Sequence, residues 1–217
     1  TSILLVGSFF VFLFTEKNGA NFLQGNFSNR IVNTFFLSVT PRTAGYSSID
    51  YSKMSHAGLI LTMFLMYIGG TSGSTAGGLK TTTLGVLLAQ MRSMFKGRTR
   101  AEIFGRTIRQ PTILRALTLF FLTLTLCVVA VMILSITEYV PEKMGLEYIA
   151  FEVFSAFGTV GLTMGLTPDL SVVGKILIMA LMYTGRVGVL TIAFSLMKKV
   201  HQQEIKIKYP EESVMIG

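Results

Sequence analysis

The stretch Gly69-Gly70-Thr71-Ser72-Gly73-Ser74-Thr75-Ala76-Gly77-Gly78-Leu79-Lys80 holds five glycines within ten residues, Gly69 to Gly78. No ordinary helix runs through such a stretch, because each glycine costs about 1 kcal/mol relative to alanine. Yet an apolar run, Met54 to Ile68, leads into it, and an amphipathic one, Thr83 to Phe95, leads out. The flanks read as one membrane-crossing element with a break in the middle. Irregular backbone at membrane depth survives only where protein buries it or where it lines a water-filled cavity. The stretch therefore predicts a pathway with flexible backbone lying in it. Two other readings compete. Gly73 to Gly78 followed by Leu79-Lys80-Thr81 comes near the phosphate-loop pattern, but Leu79 stands before the lysine and no β-branched strand precedes it. A plain connection between two separate helices is the other.

Composition favours the membrane. Of 217 residues, 51% are hydrophobic and only 14% charged, with a mean hydropathy of +0.60. The net charge of +8 resides in loops rather than on a folded polar face, which argues against nucleic-acid binding. Cys127, the single cysteine, lies in an apolar run, so no disulfide forms within the chain. Ser2 to Phe14 is apolar but short for a span of about 20 residues, and it lacks the basic flank of a cleavable signal. It reads as the tail of a first spanning helix, in a fragment that begins inside that helix.

The rest of the chain follows a pattern. After a polar turn, Phe27 to Val39 is a short amphipathic helix, too short to span. Thr40-Pro41-Arg42-Thr43-Ala44-Gly45-Tyr46 follows, held extended by the proline. A short re-entrant helix followed by an extended glycine segment is the form of a selectivity filter. The broken helix comes next. Arg92, Lys96, Arg98, Arg100, Arg106 and Arg109 against Glu102 mark a cytoplasmic loop. Thr112 to Thr137 is a continuous span. Glu138, Glu142 and Glu147 make the opposite side acidic. Leu146 to Phe157 is a second short helix, Gly158-Thr159-Val160-Gly161-Leu162 a second extended segment, and Val172 to Met197 a span that ends at Lys198-Lys199.

Shifted by 116 residues, the sequence matches itself without a gap. Thr43, Gly45, Ser55, Gly58, Ile60, Leu61, Met63, Leu65, Met66, Tyr67 and Gly69 recur as Thr159, Gly161, Ser171, Gly174, Ile176, Leu177, Met179, Leu181, Met182, Tyr183 and Gly185. The expected fold is an all-α membrane protein of repeated helix–pore-helix–helix units, potassium-channel-like, with a broken helix in the first unit. Residues 1–95 form one pore unit, 96–111 a cytoplasmic basic loop, 112–200 a second pore unit and 201–217 a C-terminal tail. Backbone carbonyls from both units suit coordination of a weakly hydrated monovalent cation. Where the first unit has Gly70, the second has Arg186, about 22 Å below the outer end of its helix. That arginine either snorkels to the inner headgroups or faces the bundle interior. In the second case its donors would satisfy carbonyls freed by Gly70, Thr71, Ser72, Gly73, Ser74, Thr75, Ala76, Gly77 and Gly78, and loop and arginine together form a gate.

The two filter segments, the glycine loop and Tyr183-Thr184-Gly185-Arg186 closely resemble the Trk/Ktr/HKT superfamily of potassium transporters, nearest to its bacterial Ktr-type membrane subunits. The resemblance covers essentially the whole chain, including the ending Tyr209-Pro210-Glu211-Glu212-Ser213-Val214-Met215-Ile216-Gly217. It implies four pore units around one pore, of which this chain holds the third and fourth, so the N-terminal half of the same protein is an expected partner. It further implies membrane lipid as surroundings, a homodimer, and a cytosolic RCK/KTN-type nucleotide-binding ring carrying a regulatory nucleotide. The expected location is the plasma membrane, with the basic loop and the C-terminus cytoplasmic. Potassium would bind at the carbonyls of Thr43, Ala44, Gly45, Tyr46, Thr159, Val160, Gly161 and Leu162, with no covalent cofactor and no nucleic acid involved. In the plant branch a serine at such a glycine goes with sodium, so Gly45 and Gly161 favour potassium, and a sodium-selective or weakly selective transporter is the alternative. Thr40 and Thr159 offer hydroxyls there. A membrane NTPase lacks its acidic metal ligand here, and a nonconducting subunit has no need of both filter glycines.

Overall fold

The structure, a computed structural model, describes residues 1–16, 27–98, 101–103, 106–139 and 145–188. Seven α-helices appear among them: α1 (Ser2–Thr15), α2 (Phe27–Val39), α3 (His56–Tyr67), α4 (Thr81–Phe95), α5 (Gln110–Thr137), α6 (Leu146–Phe157) and α7 (Val172–Val187). The short helices α2 and α6 fall where the sequence predicts them. The broken helix is α3 and α4, separated by residues 68–80. Helix α5 starts at Gln110 rather than Thr112, because Pro111 fits the first turn, where its missing N–H costs nothing.

Two expectations need correction. The span expected over Val172 to Met197 is not one helix: α7 stops at Val187, where Gly188 takes φ +90° and its N–H caps the Thr184 carbonyl at 3.0 Å. Residues 189–217, with Lys198-Lys199 and the tail, lie outside the described residues, as do the polar turn at 17–26 and Glu142. Nor is the chain wholly α-helical. Glu102–Ile103 (β1) and Arg106–Thr107 (β2) pair as a small antiparallel hairpin in the basic loop, where Arg98 bonds Glu102 at 2.7 Å.

Helix α6 lies at the centre, packed on α3, α5 and α7, while α1 packs on α2. Tyr67, the last residue of α3, ties the centre together. Its ring meets those of Phe120, Phe154 and Phe157, and its hydroxyl bonds the Thr123 hydroxyl at 2.7 Å and the Phe120 carbonyl at 2.9 Å. A buried tyrosine is stable only when its hydroxyl finds such partners.

The outer faces are apolar. Phe121, Val128, Met132 and Ile136 of α5 and Ile3, Phe10 and Phe14 of α1 are exposed, more than a soluble surface tolerates in one band. Helix α5, with 28 residues, is long and apolar enough to cross a membrane, and among the described helices it alone is; α1 and α3 are apolar but shorter. At 1.5 Å per residue α5 extends about 42 Å, beyond a hydrocarbon core of about 30 Å.

A second repeat device appears that the ungapped alignment lacks. Glu16, after α1, accepts from the Ser55 N–H at 3.2 Å and from the Ser55 hydroxyl. Glu138, after α5, accepts from the Ser171 N–H at 2.9 Å and hydroxyl at 2.6 Å. Each serine oxygen in turn caps its helix, accepting from Gly58 N–H at 3.0 Å or Gly174 N–H at 3.1 Å. Glu16 thus pins the end of α1 to the start of α3, and Glu138 the end of α5 to the start of α7, each across one short helix. The acids are 122 positions apart and the glycine segments 116, so the first unit carries six extra residues between them.

Candidate functional site

The segments after α2 and α6 share one unusual backbone. Thr43 has φ +62° and Thr159 φ +51°, the only non-glycine residues with positive φ among those described; Gly45 follows at +72° and Gly161 at +91°. A β-branched residue in the left-handed region is a true outlier. Such strain costs of order 1–3 kcal/mol per residue and collects at functional sites. Ala44 and Val160 keep negative φ, so handedness alternates along each segment, which turns successive peptide groups to one side.

Both segments are held from below. Ala44 and Gly45 N–H groups donate to the Thr40 carbonyl, each at 3.3 Å. Thr159 and Val160 N–H groups donate to Ala156 and Ser155 carbonyls at 3.0 and 2.9 Å. The Thr40 hydroxyl donates to the Tyr46 carbonyl, which is a packing role for Thr40 rather than a free hydroxyl. Among the described residues, no N–H or O–H donates to the carbonyls of Thr43, Ala44, Gly45, Thr159, Val160 or Gly161. Val160 is buried, Thr43, Gly45 and Thr159 are half-buried, and Ala44 and Gly161 are exposed, so these carbonyls are free to accept from water or to meet a cation. The two segments also meet: a Cβ on Gly45 would collide with the Val160 carbonyl.

The glycine loop closes on itself. Ile68 bridges Leu79 in parallel, with Leu79 N–H on the Tyr67 carbonyl at 2.9 Å and Thr81 N–H on the Gly70 carbonyl at 3.0 Å. The neck is thus fixed to the aromatic centre through Tyr67. Thr71 to Thr75 form the exposed tip, and Ala76 and Gly77 are buried. Gly77 lies against the base of the second segment, where a Cβ would collide with the Thr159 hydroxyl and sit 2.9 Å from the Gly158 carbonyl.

Arg186 does not cap the loop carbonyls as the sequence suggests. Lys80 does: its ammonium donates to the carbonyls of Ala76 and, at 3.4 Å, Ser74. Lys80 enters α4 directly from the loop, so its side chain folds back over the turn before it. Arg186 is exposed and makes no hydrogen bond among the described residues. It stands beside the loop, in a cleft of about 160 Å³ walled by Gly78, Leu79, Lys80 and Thr83 on one side and Thr184 to Gly188 on the other. Gly45 thus neighbours Val160, Gly77 neighbours Thr159, and the end of the glycine loop shares a cleft with Arg186. Lys80 and Tyr67 bond this loop, and the buried acid Glu152 bonds Thr163 beyond the second segment. Glu152 is not among the residues singled out in the sequence; the signal that could have found it is a second acid, after Glu147, on a short helix that is mostly apolar.

Comparison with known proteins decides the family. A family profile described as "TrkH: Cation transport protein" matches residues 2–208. The chain belongs to the TrkH family of cation transport proteins. Members of this family are transporters, not enzymes. The chain is 70% identical over its full length to the potassium/sodium uptake protein NtpJ of Enterococcus hirae, covering 48% of that protein. It is 39% identical, over 95% of its length, to the Ktr system potassium uptake protein B of Bacillus subtilis, covering 45% of it. The fold matches the crystal structure of the potassium transporter TrkH from Vibrio parahaemolyticus, with TM-score 0.70 and 19% identity over 90% of this chain and 42% of that one. The chain thus spans about half the length of the curated relatives it matches.

Proposed function

We propose that this chain contributes two pore units to a potassium uptake pathway across the plasma membrane. The observation that carries the reading is the set of six donor-free carbonyls on two alternating-handed segments, Thr43 to Gly45 and Thr159 to Gly161. A cation entering a filter leaves its water shell, and carbonyl oxygens replace it. The filter extends to Tyr46 and Leu162. Residues 1–95 and 112–200 are the units, 96–111 the cytoplasmic loop and 201–217 the tail. Two further units come from the N-terminal half of the same protein, and the complete protein pairs as a homodimer on a cytosolic RCK/KTN-type ring that holds the regulatory nucleotide. The gate is the loop Gly70 to Gly78 with Arg186, whose charge repels cations until loop and arginine part.

A second reading keeps the same path and widens its selectivity. The relative that is 70% identical is named for both potassium and sodium, so sodium passage competes with strict potassium selectivity. The test uses the full-length protein in vesicles with an outward potassium gradient. Uptake of a rubidium tracer that excess external sodium leaves intact supports the potassium reading. Uptake that sodium suppresses supports the wider one, and no uptake of either ion contradicts both.

A further inference from the structure

Glu152 sits on α6 seven residues before Thr159 and is only 6% exposed. A carboxylate in such a place is costly unless its oxygens are bonded. Both are. The Thr163 hydroxyl donates to Oε2 at 2.8 Å, and the Thr167 hydroxyl donates to Oε1. The Thr163 oxygen accepts the Gly165 N–H at 2.9 Å, closing the turn that follows the filter segment. No ion pair with Glu152 occurs among the described residues. The short helix therefore holds the filter at both ends: Ala156 and Ser155 carbonyls take Thr159 and Val160 N–H groups at its start, and Glu152 takes the hydroxyls just past its end.

The first unit has no such clip. The positions matching Glu152, Thr163 and Thr167 under the 116-residue shift are Phe36, Ser47 and Tyr51. There the Ser47 hydroxyl turns to the Ile49 carbonyl at 2.6 Å, and Tyr51 packs its ring on Phe151 at 5.2 Å.

We infer that Glu152 is a positioning residue of the second filter, and that its clip on Thr163 and Thr167 fixes the Thr159 to Gly161 carbonyls at the spacing that discriminates potassium from sodium. The inference rests on the proposed filter. A clip at one filter only makes discrimination depend more on the second segment than on the first. The carboxylate acts through the threonines and touches no ion.

The test is sodium competition against rubidium uptake by the full-length protein. Removing one side of the clip leaves a buried polar group unpaired, so the informative variant is Glu152→Leu/Thr163→Val/Thr167→Val, which replaces the carboxylate and both hydroxyls with apolar groups of similar size; the Gly165 N–H that Thr163 accepts lies on an exposed residue, where water takes the place of the lost acceptor. Its discrimination should fall roughly tenfold, the value of one hydrogen bond to a charged group. Glu152→Gln, whose amide both accepts and donates, should restore most of it. A triple variant that assembles, takes up rubidium and resists sodium as the wild type does overturns the inference. So does Glu152→Gln as unselective as the triple variant, since charge rather than position would then matter. A wild type that takes up neither ion overturns the filter reading itself, and the inference with it.

Discussion

Gly77, in the glycine loop, lies directly against Thr159 at the base of the second left-handed segment, so close that a methyl group on Gly77 would collide with the Thr159 hydroxyl. That hydroxyl oxygen is buried and has no hydrogen-bond partner among the described residues, and Thr159 is itself in a left-handed conformation at φ +51°. The glycine loop thus touches the Thr159 segment here, and glycine at position 77 is what permits it.

Gly77→Ala should unseat the loop. Overpacking of this kind costs on the order of 1–3 kcal/mol, borne here by the closed arrangement alone, and basal rubidium uptake of the full-length protein should rise severalfold. Uptake at the wild-type level would show that the loop does not seal the path.

Lys80→Met removes the ammonium from the Ala76 and Ser74 carbonyls. The exposed Ser74 carbonyl can turn to water, but the Ala76 carbonyl is part-buried, and losing its donor destabilises this loop arrangement by about 1 kcal/mol. Arg186→Ala leaves those bonds intact and removes only a charge beside the cleft. Both should leave the path more permissive, and the double variant should depart from the sum of the singles, since the two cations line one cleft. Tracer flux in the single and double variants measures this. Unchanged flux in both singles would argue against the gate.

Gly161→Ser places a side chain at φ +91°, where L-residues are strained by of order 1–3 kcal/mol. The second segment should relax and admit more sodium. The potassium-to-sodium uptake ratio reads the effect, and an unaltered ratio counts against assigning this segment to the filter.

The Glu138 clamp predicts a pH dependence. Burial raises the carboxyl's pKa, but hydrogen bonds from the Ser171 hydroxyl and N–H, and from Thr137, outweigh it and hold it below its ordinary value. A depressed folded-state pKa contributes stability that is present above the unfolded value and lost as pH falls through the folded one. Thermal midpoints of the purified full-length protein should therefore drop as pH falls through and below the ordinary glutamate range, and Glu138→Gln should flatten that part of the curve. Identical curves would mean that Ser171 does not stabilise the charge.

The two short helices, the break between Tyr67 and Thr81, and the pairing of Gly45 with Gly161 were legible because each depends on local rules: helix length, glycine content and a repeat without gaps. The clamps were not, since the six extra residues of the first unit move Glu16 out of register with Glu138. Lys80 as a partner of the loop carbonyls was not legible, because the loop's return onto its own neck, which brings Lys80 over Ala76, depends on the Tyr67 and Leu79 contact rather than on spacing. The early end of α7 turns on Gly188, one glycine whose positive φ composition does not announce. Glu152 could be seen as an anomaly, but its partners Thr163 and Thr167 come to it only when the chain turns at Gly165.

The most direct test of the central claim is growth of a bacterium lacking its own potassium uptake, at low external potassium, with the full-length gene and its cytosolic partner supplied. The account predicts rescue by the wild type and its loss on Gly161→Asp, which sets a bulky charge among the carbonyls of the second segment. Rescue that survives this substitution would contradict a path through those carbonyls.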